Sequence, residues 1–257
     1  MTAPSRLRTD TITLVTLLTS DIAAEGVPAQ LCVLGFATGV LDAVSFPAYR
    51  IFLSNQTGNT IFLFLGAIGL IDRTVLANTA ASLGTFLTFL LVSGQLGNHI
   101  GRRRRWWLLL SNAIQSGLIL LIAILHVTAV TPDLGYSRFV PISLLSAGSG
   151  MQVAMARTLE CPEVPTAMLT TPFADLLTDP EIFKLGRSSS RDKRIAYISC
   201  ICSGALIGAV FQRHINESSA FFLAAAVKTA VTGSLLFNPA KSNHETEAAI
   251  RKAGGEQ

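Results

Sequence analysis

Asp42, Gln152 and Lys228 are the side chains with most to explain in this 257-residue sequence, because each stands inside an apolar stretch. Asp42 lies 11 residues into the run 31–49, and Lys228 sits in the middle of "FFLAAAVKTAVTGSLLF". An ionisable group in hydrocarbon is costly and normally faces a cavity or a partner. Asp42 can carry a proton, bind a solute, or serve as a hydrogen-bonded structural carboxylate. Lys228 can neutralise Asp42 or Asp175, or snorkel along its helix. Gln152, beside a glycine-rich seam, can hydrogen-bond a solute or another helix. A fourth feature is the polar heptad "SNQTGNT" at 54–60, set between two apolar runs. A short helix starting there leaves its first N–H groups without intrahelical partners, and Ser54, Asn55, Thr57 or Asn59 can cap them. Gly58 permits a sharp turn or the close approach of another backbone. Two readings stay open: a well-capped turn, or a binding site where a helix N-terminus meets an anion or a carboxylate.

The elements that carry these residues follow from composition. Half of the residues are hydrophobic and 14% are charged, against about 25% charged in a soluble domain. Mean hydropathy is +0.49. Residues 75–97 and 106–130 form windows of 23 and 25 residues with no acidic or basic group but one histidine. Each exceeds the roughly 20 residues that cross a hydrocarbon core. The expected class is therefore all-α: a polytopic transmembrane helix bundle, with no role for nucleic acid in its net charge of +4. Gly35, Thr38, Gly39, Asp42, Ser45, Phe46 and Tyr49 share one helical face by their three- and four-residue steps. Gly35 and Gly39 form a small-xxx-small pair suited to close helix contact.

Eight apolar elements are expected, at 31–49, 59–71, 75–97, 106–130, 139–156, 166–177, 195–212 and 219–237. Six are long enough to span, whereas the second and sixth are short or broken. They occupy matching places in two halves, about 28–130 and 138–237. Three weak matches support a duplication: "ATGVLDAV" with "GSGMQVAM" at offset 111, "NQTGN" with "MLTTP" at 113, and "LVSGQLG" with "ICSGALI" at 110. Thr170 then stands where Thr57 does, and Gly204 where Gly94 does. Three crossings per half make the repeat an inverted one. Loop charge fits six spans with cytoplasmic termini, placing 15 Lys and Arg inside and 4 outside; eight crossings give 12 and 7, and seven give 14 and 5. The membrane is the plasma membrane or that of an organelle. Residues 1–27 read as a cytoplasmic arm and 238–257 as a solvated tail.

Other chemistry finds no footing. Cys32, Cys161, Cys200 and Cys202 make no framework, and the four histidines show no ligand spacing. No metal, cofactor, nucleophile–base pair or nucleotide-binding motif is expected, so an enzyme is not the reading. "RRRR" at 102–105, followed by Trp106 and Trp107, reads as a topology anchor with an interfacial aromatic belt in contact with membrane lipid. A secondary transporter or permease for a small polar or anionic solute, with Asp42 as a candidate proton carrier, is the first functional reading. A non-transporting structural or accessory membrane protein is the alternative. The candidate site is Asp42, Asn55, Thr57, Gly58, Asn59, Gln152, Thr170 and Lys228.

"GFATGVLDAVSF…IFLSNQTGNTIFLFLGA" resembles the signature of the YoaK family, integral membrane proteins carrying domain of unknown function 1275. The pattern rests on Gly39, Asp42 and Ala43 in the first span, then Thr57, Gly58 and Asn59 before the second element. "GSGMQVAMARTLECPEVPTAMLTTPFADLL" resembles the second block, with Val153 where an Asn is common and Thr171-Pro172 in place of Thr-Gly. The resemblance covers about 30–237 and is closest to fungal members. It implies a multi-pass membrane protein with six spans and names no substrate.

Overall fold

The computed structural model describes residues 16–128, 138–183, 186 and 188–241. Among the described residues, 16–19 are helical, and eight helices with defined bounds follow: α1 Val27–Tyr49, α2 Gln56–Ala67, α3 Arg73–Ile100, α4 Arg105–Val127, α5 Phe139–Thr158, α6 Thr170–Leu177, α7 Ser189–His214 and α8 Glu217–Ser234. A short 3-10 turn, Leu235–Phe237, extends α8. Among the described residues, six of these helices are long and apolar enough to cross a membrane. The other two are α2, with 12 residues, and α6, with 8. At 1.5 Å per residue they reach roughly 18 and 12 Å, about half a hydrocarbon core or less. The expectation of six spans and two short elements holds.

Hydrogen bonds at the helix ends order the crossings. On one face, Arg103 donates to the carbonyl of Leu159 at 2.7 Å, and Ile22 N–H donates to the carbonyl of Arg103 at 3.1 Å. On the other face, Tyr49, His126 and Glu217 meet. The starts of α1, α4 and α7 and the ends of α3, α5 and α8 therefore share the first face.

The short helices turn back before crossing. Pro47 lies in the last turn of α1, and Arg50, in the left-handed region at φ 59°, closes that helix. The chain then doubles back until the carbonyl of Phe52 accepts from Ser82 at 3.0 Å, well inside α3. From that depth α2 runs outward again, and a Cβ on Gly66 would lie 2.8 Å from Leu76 near the start of α3. On the opposite face, Tyr197 in α7 donates to the carbonyl of Met168 at 2.8 Å, ahead of α6. Asp175 on α6 sits 3.8 Å from Arg194, nearer the start of α7. Each short helix thus leaves by the face through which it entered.

The closest helix pairs are α1 with α7 and α3 with α5; α4 packs on α8 and on α5, and α8 on α1. Exchanging the first four helices for the last four leaves these pairings unchanged. At both main pairs a glycine brings backbone onto backbone. A Cβ on Gly39 would lie 2.2 Å from the carbonyl oxygen of Ile201, and one on Gly150 would lie 2.4 Å from that of Phe86. With lipid outside as apolar as the helix faces, such close packing is the main source of helix association. Gly204 also packs on backbone, against Phe36, whereas Gly94 faces open space. The match of Gly94 with Gly204 therefore has no counterpart in their surroundings, because the side chains that border them differ.

Two expectations near the ends change. Ile22 is fully buried in a cluster with Leu31, Leu108 and Tyr197. Residues 21–23 pair with 239–241: Ala23 N–H donates to the carbonyl of Pro239 at 3.0 Å, and Lys241 N–H to that of Asp21 at 2.8 Å. The expected arm and tail meet there and are held down; residues 1–15 and 242–257 lie outside the described residues. The arginine run is also more than an anchor. Arg105 is buried and donates to the carbonyls of Leu236 and Asn238, both at 2.6 Å, capping the end of α8. Trp107 is buried against Gly97 rather than lying in an interfacial belt.

Candidate functional site

Only Ser54 and Asn55 of the polar heptad lie outside α2, at the end of a braced loop, 50–55; the other five residues open the helix. Asp42 reaches across from α1 to the far end of that loop: Oδ1 accepts from the backbone N–H of Leu53 at 2.8 Å and of Ser54 at 3.0 Å. Oδ2 accepts from the Ser54 hydroxyl at 2.5 Å. Three donors occupy the carboxylate, and bonds from N–H and O–H to an ionised acceptor are the stronger kind. Asn59, 0% exposed, answers from α2. Its Oδ1 accepts from Phe52 N–H at 3.0 Å and its Nδ2 donates to the Phe52 carbonyl at 2.6 Å. The same amide donates to Gln56 Oε1 at 2.9 Å and Ser82 Oγ at 3.2 Å, and Ser82 pairs with Ser146 of α5 at 2.9 Å. One chain of bonds therefore fastens the loop to α1, α2, α3 and α5. Buried backbone polar groups require such partners in a membrane.

The rest of the heptad does less. Asn55 is the residue before α2 but makes no capping bond, and Asn55 and Thr57 are exposed. Gly58 backs onto the ring of Phe52, which a Cβ would meet at 3.3 Å. Asn59 is not a cap for its own helix, as its spacing suggested, because Phe52 claims both ends of its amide.

A second polar group fills the bundle centre. Lys228, 1% exposed, donates from Nζ to Gln115 Oε1 at 2.7 Å. Gln115 Nε2 donates to Ser111 Oγ at 3.1 Å. Gly148 of α5 lies against the Cα of Gln115. One turn on, Gln152 donates to Thr38 Oγ1 of α1 at 2.8 Å. Asn112 donates to Met155 Sδ at 2.9 Å, while its buried Oδ1 has no protein partner. Small residues on α5, from Ser146 to Gly150, allow this approach. Lys228 pairs with neither acid proposed for it: Asp42 is held by its loop, and Asp175 lies beside Arg194.

Thr170 is exposed at the start of α6 and joins neither cluster. The loop leading to α6 is tied to α7 instead. Glu163 accepts from Ser190 at 2.9 Å. Burial alone would push its carboxyl up, but its own backbone N–H, Ser190 and Lys193 together hold it below the usual range.

The eight expected residues thus divide. Asp42 and Asn59 brace one loop; Gln152 and Lys228 lie in the central layer; Asn55, Thr57, Gly58 and Thr170 stand apart from both. The partners Ser82 and Gln115 were missed; Ser54 was named only as a candidate cap and Thr38 only as a neighbour of Asp42 on its helical face. Ser111, Asn112, Gln115 and Ser116 lie at helical spacing on one side of α4 and are all buried. That stripe was a readable signal in a segment noted only for its lack of charge.

Six crossing helices, two half-depth helices and a buried polar layer define a multi-pass α-helical membrane protein. Residues 30–234 match the family described as "Protein of unknown function (DUF1275)", and the chain belongs to that family. No curated protein and no solved structure matches the chain.

Proposed function

We propose that this protein is a secondary transporter for a small anionic solute, which binds at Lys228. The supporting observation is the setting of that ammonium. It is enclosed mid-bundle, and its one hydrogen bond among the described residues goes to a neutral amide oxygen. An ammonium carries three donors, and a buried charge is normally met by an opposite charge or several acceptors. An anion supplies both. The unpartnered Asn112 Oδ1, one turn from Gln115, marks the same layer as incompletely satisfied. In this reading Asp42 positions the loop that precedes α2 instead of carrying a coupling proton.

The arrangement suits alternating access. We read the two halves as an inverted repeat, supported by the exchange-symmetric helix pairs. Gln115 and Lys228 are 113 residues apart, the offset that relates Thr57 to Thr170. Binding near the midplane between repeats, with short helices at matching positions, is a recurrent transporter plan. The excess of Arg and Lys on the face of the described ends supports a cytoplasmic location for that face.

The test is uptake of a panel of anions, from chloride and nitrate to acetate and sulfate, by purified protein in proteoliposomes. Lys228→Gln is expected to lose uptake at equal folded protein, and Lys228→Arg to keep part of it. A folded wild-type protein that moves none of the panel, or a Lys228→Gln variant with wild-type uptake, refutes the proposal.

A further inference from the structure

On the face opposite the described ends, three helices meet at one imidazole. His126, in the last turn of α4, places Nδ1 2.9 Å from the carbonyl of Ile122. A carbonyl only accepts, so Nδ1 carries a hydrogen and, in the neutral ring, Nε2 carries the lone pair. Nε2 lies 3.1 Å from the hydroxyl of Tyr49, the last residue of α1, which donates to it. It also lies 3.5 Å from Oε2 of Glu217, the first residue of α8. Two acceptors, the Nε2 lone pair and a carboxylate oxygen, therefore face each other while the ring is neutral. Glu217 is held from its other side by Gln212 of α7, which donates to Oε1 at 3.2 Å. Phe221 packs edge-on against the ring, with centroids 5.4 Å apart. Among the described residues, Arg138, just before α5, is a cation whose charge acts on Tyr49.

We propose that His126, Tyr49 and Glu217 form a proton-binding site that sets which of α1 and α8 is tied to α4. A proton from the solution on this face forms the Nε2–H bond. The new donor turns to Glu217 Oε2, giving a charge-assisted bond with the ring and carboxylate together neutral. Tyr49 then loses its acceptor, and the α1–α4 tie opens as the α4–α8 tie closes. Imidazole is the side chain suited to such a change near neutral pH. The consequence extends inward, because Tyr49 begins the segment that leads back to the heptad: its carbonyl accepts from Asn78 of α3 at 3.0 Å, and Asp42 holds the segment's end.

Coupling of this proton to solute movement rests on the transport reading; the site itself does not. The experiment is an NMR titration of the full-length protein with ¹⁵N-labelled histidine, with His126 assigned by the signal missing in His126→Gln. The neutral ring is expected to show the Nδ1–H tautomer. Glu217→Gln removes the acceptor of the protonated form and should weaken proton binding about three- to tenfold. Tyr49→Phe removes the donor to the neutral form and should strengthen proton binding. Shifts of opposite sign support the site. An Nε2–H tautomer, or equal midpoints in all three proteins, overturns it. In proteoliposomes that transport, the pH profile of uptake should move with the same two substitutions; a profile unmoved while the NMR midpoints shift removes the coupling alone. Absence of any uptake overturns the transport reading and leaves the NMR result to decide the proton site.

Discussion

Replacing Gly39 by alanine should cost more than a methyl group's size suggests. The new Cβ would lie 2.2 Å from the carbonyl oxygen of Ile201 and 2.7 Å from the nitrogen of Ala205. These are backbone atoms of α7, so no rotamer change relieves the clash; α1 and α7 must separate by about 1 Å. A gap of that size forfeits a quarter to half of each dispersion contact along the seam. Overpacking of this kind costs about 1–3 kcal/mol, and the rigid neighbours place Gly39→Ala near the top. The better helix propensity of alanine offsets about 1 kcal/mol. The expected net loss is about 2 kcal/mol, or roughly thirtyfold in the folded-to-unfolded ratio. Gly204 meets Phe36 across the same seam, with 2.1 Å to its carbonyl oxygen. Once the helices have parted for one methyl, the second finds room, so Gly39→Ala with Gly204→Ala should cost clearly less than the sum. Gly94→Ala, where nothing lies within 4 Å, is the control and should be neutral or slightly stabilising. Unfolding in mixed detergent–SDS micelles, followed by far-UV circular dichroism, measures the wild type, the Gly39→Ala, Gly204→Ala and Gly94→Ala variants and the double variant. A Gly39→Ala protein as stable as Gly94→Ala, or strict additivity in the double variant, refutes the reasoning.

Two further outcomes are expected. Asp42→Asn keeps an acceptor for the N–H groups of Leu53 and Ser54 and should cost about 1 kcal/mol, whereas Asp42→Ala strands both at about 1–3 kcal/mol each; equal thermal stability of the two variants would show that the carboxylate does not brace the loop. Single cysteines at positions 102 and 189, in a background without the native ones, should be labelled by an impermeant reagent from one face and position 72 from the other; labelling of 72 and 189 from the same face would break the six-span order.

The spans were legible because apolar length is a property of single segments. Their ends were less so: α7 was expected from 195 but begins at Ser189, since its first turn is polar and ties to the loop before α6. α3 likewise gains Arg73 and Ile100 beyond the uncharged window. The short second and sixth elements were visible as interruptions. What they hold was not. Asp42 bonds to backbone N–H groups of residues 53 and 54, and backbone donors leave no trace in residue types. Lys228 was weighed against acids because opposite charges invite pairing, yet its partner is Gln115, an amide one span-pair away. The arginine run read as a single charge signal, although Arg105 alone turns inward to the end of α8.

The pairing of residues 21–23 with 239–241, clasped by Arg105, has a consequence for biosynthesis. Arg105 reaches its two carbonyl acceptors 131 and 133 residues later in the chain. At about 5–20 residues per second, roughly 7–27 s separate its emergence from that of Asn238. Throughout that interval the guanidinium and the strand-like segment at Ile22 wait without their final partners, while four further spans are inserted. The clasp therefore cannot close until the last of the described spans has been made. It can report completion of the bundle: a nascent chain stalled before residue 236 should remain open to proteolysis at 21–23, and a released chain should not.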